Sequence, residues 1–260
     1  MRSMKMLIGG ELVAARSGAT FESIDPGSGE PIAEVPRGAS EDASDAVAAA
    51  HRAFQAWSQR PVEERARTLM ELSDRISDRM RELAVLEARD SGGTLKRTGG
   101  DVFLGARLIR NLARYAMQDF PWVEEMGAAG NPFSPSRNRV RREPVGVCVG
   151  IVPWNFPFLM ATWKITMATL MGNTLVLKPA SNTPLSALAL AGIIAESPIP
   201  PGVINIVTGP GGELGEALCS DERVAKIAFT GSTEVGRRIM TLAAGTIKKT
   251  TLELGGKSAN

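Results

Sequence analysis

From Val145 to Leu254 the chain alternates strand-length apolar runs with helix-length segments. "VGVCVGIVP", "NTLVLKP", "GVINIVTG" and "RVAKIAFT" are apolar nearly throughout, and "KKTTLEL" closes the series. "FPFLMATWKITMATLMG", "PLSALALAGIIAES", "GGELGEALCS" and "STEVGRRIMTLAA" lie between them as helices. A strand that is apolar on both faces needs cover on both faces. The pattern predicts a doubly wound α/β domain, a parallel sheet with helices on either side. Such sheets bind ligands at the carboxyl ends of their strands, where loops lead into helix N-termini.

Upstream the period changes. Residues 1–37 read as short strands separated by Gly-Gly and Pro-Gly-Ser-Gly turns. "SEDASDAVAAAHRAFQAW" predicts a helix over 40–57 with Ser40 as N-cap and Val47, Ala50, Phe54 and Trp57 on one stripe. A second long helix is expected from near Pro61 to about Arg89, and a third from about Lys96 to Met117, with "SGG" between them. Residues 119–144 combine turn chemistry with alternation and predict a β ribbon with one wet face. The expected units are therefore 1–118, 119–144 and 145–260.

Hydrophobic residues are 43% and charged residues 22% of the 260-residue chain, an ordinary globular balance. A net charge of +2 without a long run of one sign argues against nucleic-acid or membrane-surface binding. The arginines of "RNRVRRE" are expected to guard an exposed strand edge. The apolar part of "MRSMKMLIGGELVAA" is too short for a signal peptide, and no stretch has the length of a membrane span. The two cysteines, Cys148 and Cys219, have no metal-ligand spacing, and no metal site is expected. Their sparse use fits a reducing cytoplasm. His51, the single histidine, gives a His-centred triad nothing to build on.

Five strand ends on one rim carry polar or glycine-rich loops. In "PWNFP", Asn155 is either a rigid amide donor for an oxyanion or the cap of the next helix. Lys178 ends the second strand as an anion ligand or as a solvated end. "VTGPGGELG", with Gly209, allows close backbone approach to a ligand or is a turn. In "FTGSTEVG", Gly231 ends a strand, and Ser232 opens a helix whose amides favour a pyrophosphate; Ser232 either donates to it or caps. Glu253 in "LELGG" is either a desolvated general base or an edge carboxylate paired with Lys248, Lys249 or Lys257. Together these loops point to nucleotide binding without naming a reaction.

"PWNFP", "LKPASNTP", "FTGSTEVG" and "LELGGKS" occur in this order, and with them the chain resembles the aldehyde dehydrogenase superfamily from its N-terminal strands to its last residue. The resemblance implies a Rossmann-like cofactor domain without the GxGxxG fingerprint and NAD(P)-dependent oxidation of an aldehyde to an acid. It implies that Asn155 holds the oxyanion and that Glu253 activates water against a thioester. It places Lys178 on the adenosine ribose, Ser232 on the pyrophosphate, Trp154 and Gly209 along the cofactor cleft, and Thr230 near the nicotinamide. Many NAD-preferring members carry glutamate where this chain has Ser181. Serine does not repel a 2′-phosphate, so NADP is expected to be accepted as well as NAD.

The family's nucleophilic cysteine lies beyond the "LELGG" motif in a separate catalytic domain. Neither Cys148, within a strand, nor Cys219, at a helix end expected far from the rim, matches it. The resemblance thus implies the N-terminal part of an oligomeric enzyme, inactive alone, with the 119–144 ribbon as its oligomerisation arm. The alternative is a non-catalytic nucleotide-binding or assembly module. A reductase of acyl phosphates shares the fold but needs no base at Glu253.

Overall fold

The computed structural model describes residues 2–131 and 133–257. The last residue of "LELGGKS", Ser258, lies outside them. Strands β1 (Arg2–Ser3), β2 (Met6–Ile8), β3 (Glu11–Val13), β4 (Thr20–Ile24) and β5 (Pro31–Pro36) come first. Helices α1 (Ser40–Ser58), α2 (Val62–Asp78), α3 (Met80–Ser91) and α4 (Leu95–Gln118) follow, then the ribbon β6 (Val123–Asn131) and β7 (Ser134–Arg141). The α/β half runs β8 (Val147–Ile151), α5 (Pro157–Leu170), β9 (Thr174–Lys178), α6 (Leu185–Ala195) and β10 (Ile204–Ile206). A π-helical turn over Gly211–Gly215 leads into α7 (Glu216–Ser220), then β11 (Val224–Gly231), α8 (Thr233–Ala244) and β12 (Lys249–Leu254).

The central sheet has seven strands in the order β12-β11-β8-β9-β10-β2-β3. Strands β12 to β10 are parallel, as the apolar runs require. The N-terminal hairpin β2–β3 extends this sheet antiparallel at β10. The sequence carries no sign of that pairing, because nothing local in "MLIGGELV" selects a partner some two hundred residues away. Strands β1, β5 and β4 form a small separate sheet.

Two apolar clusters occupy the two faces. On β9, Leu175 and Leu177 face a cluster built with α2 to α6, while Val176 faces one built with α1, α7 and α8. This two-sided burial is why the strands lack polar alternation. Trp57, fully buried, fastens α1 by donating its indole N–H to the Thr169 carbonyl at 2.9 Å.

Two local expectations change. The helix beginning at 40 is capped by Ala39, not Ser40. Asp42 in its first turn accepts the Ala39 N–H, and also that of Arg16, both at 2.9 Å. The helix expected to run to Arg89 is two helices, α2 and α3, divided at Arg79 (φ −107, ψ 15). No Gly or Pro marks the break; it lets α3 pack on α4 and α6. Gly92 then ends α3 with φ +70, a left-handed cap that glycine adopts without steric cost.

Neither α5 nor α6 has a side-chain cap of its own. Both are capped across space by carboxylates of α3. Glu87 Oε2 accepts the Phe158 N–H at 2.9 Å, and Asp90 Oδ2 accepts the Leu185 N–H at 2.8 Å. The Ser23 hydroxyl donates to Asp90 Oδ1 at 2.5 Å. Both acids are buried. Desolvation pushes Glu87 up to about 7, against the lowering influence of the Ser186 hydroxyl and the Phe158 amide. It pushes Asp90 up to about 6.

The folded-state pKa of Glu87 lies above its unfolded value of 4.5. Its contribution to stability is therefore fullest below about 4.5 and is lost as pH rises through about 7. Glu87→Gln keeps an acceptor for Phe158 and removes the titration. Denaturant unfolding of both proteins from pH 5 to 8 should show wild type losing roughly 3 kcal/mol relative to the variant. A difference flat across that range would contradict a raised pKa at Glu87.

Candidate nucleotide and catalytic site

The carboxyl ends of β8, β9, β11 and β12 lie level. Ile151 pairs with Lys178 and Phe229, and Thr230 pairs with Glu253. One cavity opens here, and a second runs along the sheet face from the amino ends of β8, β9 and β11 to Thr230 and Glu253. One, of about 240 Å³, lies between α7 and α8 and is lined by Ile151, Lys178, Gly211, Gly212, Cys219 and Arg238 among others. The second, of about 640 Å³, lies beside α5 and is lined by Met160, Trp163, Lys164, Lys226, Thr230 and Glu253 among others.

In the first cavity Lys178 is a buried cation, not a solvated strand end. Its Nζ donates to the Pro179 carbonyl at 3.3 Å. Desolvation brings its pKa down to about 8, opposed by Cys219. Cys219 therefore lies in the wall of this cavity and not far from the rim, because α7 packs between α1 and α8 with its last turn beside Lys178. Burial raises both Cys219 and Cys148 to about 11. Ser181 donates its hydroxyl to the Gly209 carbonyl at 3.1 Å.

The glycines serve packing first. A Cβ on Gly209 would lie 2.3 Å from the Gly38 carbonyl oxygen, and one on Gly231 would lie 2.5 Å from the Phe229 ring. Gly211 and Gly212, in contrast, have open space where a Cβ would point. Ser232 caps α8 by accepting the Val235 N–H at 3.3 Å, which leaves its own O–H free to donate elsewhere.

Glu253 is exposed, so the burial expected of it is absent. It makes no ion pair among the described residues. Lys248, one of its expected partners, donates instead to the Asp221 carbonyl at 2.8 Å and to the Thr246 hydroxyl at 2.5 Å. The cation facing Glu253 across the cavity is Lys164. Burial lowers Lys164 to about 8, with Glu253 pulling it up and Lys226 pushing it down. Lys164 is the one charged residue of "FPFLMATWKITMATLMG", and a lone cation in an apolar helix is the local sign of its place. Beside Glu253, the Thr230 hydroxyl is buried without a hydrogen-bond partner among the described residues.

Asn155 lines neither cavity. It does not cap α5, whose cap position is Phe156. Its side-chain amide is exposed and makes no hydrogen bond among the described residues. Its carbonyl accepts Arg97 Nη1–H at 2.8 Å, and Arg97 also pairs with Asp101 at 3.1 Å and covers the Phe156 ring at 5.4 Å. Trp154 is 61% exposed, and its carbonyl accepts the Thr183 hydroxyl at 3.3 Å. Arg97 was missed because its partner lies 58 residues away and the contact is to backbone.

Among the described residues no group of three or more His, Cys, Asp or Glu is placed to hold a metal, and no helix is long and apolar enough to cross a membrane.

Residues 12–260 match the aldehyde dehydrogenase family. The chain is 44% identical over 254 residues to acetaldehyde dehydrogenase from Pseudomonas aeruginosa, covering 97% of this chain and 49% of that protein. A betaine aldehyde dehydrogenase point mutant from Staphylococcus aureus, solved in complex with NAD+, superposes with TM-score 0.91 at 35% identity over 98% of this chain and 51% of its own. An E. coli NADP dependent enzyme superposes with TM-score 0.93 at 36% identity over 99% and 52%. The chain spans about half the length of the relatives it matches. Four ordered motifs, a shared fold and a match over nearly every residue lead to one conclusion: the chain belongs to the aldehyde dehydrogenase family.

Proposed function

We propose that this chain is the NAD(P)-binding part of an enzyme that oxidises a small-molecule aldehyde to a carboxylic acid. The observation that carries the reading is the α5-side cavity, where Glu253, Lys164 and the Thr230 hydroxyl, without a hydrogen-bond partner among the described residues, converge. A nicotinamide cofactor suits the residues present. Among the described residues, the Lys178 ammonium is buried and donates to one backbone carbonyl, and the buried Thr230 hydroxyl has no partner. When bound, the cofactor supplies a hydride acceptor.

Each residue then has a task. Lys178 and Ser181 hold the adenosine ribose, and the α8 amides with Ser232 hold the pyrophosphate. Trp154, Gly209 and Gly231 form the walls of the cleft. Thr230 orients the nicotinamide end. The Asn155 side chain donates to the oxygen of the reacting carbonyl, and Arg97 keeps its backbone in place. Glu253 takes a proton from the attacking water, with Lys164 as its neighbouring charge. The units 1–118, 119–144 and 145–260, assembly into a homo-oligomer through the ribbon, and a cytoplasmic setting belong to the same proposal.

Neither cysteine of the chain is suited to be the nucleophile. Both are buried and pushed up to about 11, which leaves almost no thiolate at neutral pH. A thiol reagent at pH 7.5 should label neither in the native chain and both in denaturant. Purified chain given NAD(P) and an aldehyde should form no NAD(P)H. An aldehyde-dependent signal abolished by alkylation would overturn this assignment.

NAD and NADP should both bind, since Ser181 places no charge against a 2′-phosphate. Ser181→Glu introduces that repulsion and is expected to weaken NADP about tenfold or more while leaving NAD bound. Isothermal titration with each nucleotide decides it. Unchanged NADP affinity in the variant would remove the repulsion argument, and no binding of either by wild type would remove the nucleotide reading.

A further inference from the structure

The α5-side cavity runs along the sheet as well as to Glu253, and it holds two cations, Lys164 and Lys226. Its floor is the sheet. Lys226, Ala228 and Thr230 of β11 alternate onto it, and Thr251 and Glu253 of β12 pair with the last two. Its wall is α5 and the residue after it, where Met160, Lys164, Met167 and Met171 follow one helical stripe. At about 640 Å³ it has the volume of a small-molecule site, and most of its lining is apolar.

Lys164 has a place made for it. A Cβ on Gly150 of β8 would lie 3.3 Å from Lys164 Cδ, so the missing side chain gives the lysine stem room against the sheet. Lys164 is half-buried, and its amine makes no hydrogen bond or ion pair among the described residues. Three titratable groups face it: Lys226 of β11, Glu253 of β12 and Cys148 of β8. Burial keeps the Cys148 thiol neutral.

A lysine in water holds its proton at neutral pH and is then no nucleophile. Lys164 differs in two respects. Its apolar surroundings disfavour charge, and Lys226 is a second cation in the same cavity. Glu253 opposes both, and the amine still comes down to about 8. A desolvated lysine beside another cation is the arrangement that makes an amine reactive toward carbonyl carbon.

We propose that Lys164 is a carbonyl-capturing amine, which forms an imine with an apolar aldehyde seated between α5 and the sheet. The Nζ lone pair attacks the carbonyl carbon and forms the C–N bond. The carbonyl oxygen then leaves as water with the two amine protons, one of them carried by Glu253 across the cavity, and C=N replaces C=O. Nothing is oxidised or reduced, so the step needs no cofactor. Met160, Trp163 and Met167 supply the apolar contact. Lys226 touches no reacting atom; it acts by keeping Lys164 unprotonated. Capture and nucleotide binding are independent, and either can fail with the other intact.

The test is reductive trapping. The 260-residue chain is incubated at pH 7.5 with benzaldehyde and sodium cyanoborohydride, which reduces an imine to a stable benzyl amine, and peptide mapping follows each lysine. Lys164 is expected to be benzylated about tenfold or more faster than the exposed Lys96, Lys249 and Lys257. In guanidinium chloride that preference should vanish. Lys164→Arg, which keeps a cation but forms no imine, should lose the fast phase. Lys226→Met should slow it about 2- to 5-fold. Thermal melting confirms that both variants fold. Formaldehyde, which has no apolar part, should show a smaller preference for Lys164 than benzaldehyde does.

Equal benzylation of these lysines in the native chain, or Lys164 reacting more slowly than the exposed ones, would overturn the capture. The wild-type map decides this whether or not a variant folds. Unchanged labelling in Lys226→Met would overturn the part given to Lys226. An equal preference with formaldehyde would overturn recognition by the apolar wall.

Discussion

Two buried carboxylates on one short helix set the geometry of the site. Glu87 and Asp90 sit one turn apart on α3, and each accepts a backbone N–H at the start of a different helix. An uncapped helix start leaves amide donors without partners, and burying them costs free energy. Meeting that need from outside the helix ties α5 and α6 to the helical layer. The loops before those helices carry Trp154, Asn155 and Ser181, so α3 determines where both loops stand. The acids bear the cost as raised pKa values, one of them close to neutrality.

Close backbone approach is the second constraint. The loop after β10 lies so near the segment before α1 that Gly38 N–H donates to the Thr208 carbonyl at 2.8 Å. The Thr208 hydroxyl donates to the Pro36 carbonyl at 2.7 Å. Gly209 has no room for a side chain beside Gly38. Glycine in this loop is thus explained by packing before any ligand is considered. Only Gly211 and Gly212, with open space above them, keep the freedom that a ligand-binding loop needs. A glycine-rich string in a sequence does not separate these two uses, since both demand the same missing atom.

Legibility followed the range of the interaction. The parallel strands and α1, α4 and α8 were visible because their signals are local: apolar runs, a stripe at helical spacing, and a serine opening a helix. The Arg79 break was not, because the residues around it are ordinary helix formers and the turn exists to pack α3 on its neighbours. Asn155 and Glu253 could be named from their motifs, but not their surroundings. Asn155 proved to be held through its carbonyl by Arg97, and Glu253 proved to be exposed and opposite Lys164. Cys219 comes to share a cavity with Lys178 for the same reason, since the packing of α7 on α1 and α8 places it there.

The sequence by itself determined the two-sided apolar strands, the order of the loops along the chain and the four motifs that carry family membership. These follow from burial and spacing along the chain, which any reading of the residues can measure. Tertiary structure alone decided that α3 caps α5 and α6, that β2 extends the sheet beside β10, and that Lys164 faces Glu253 across a cavity. Each joins groups that are distant in the chain. Their pairing depends on where the packed helices and strands come to rest, and no local residue pattern encodes that position.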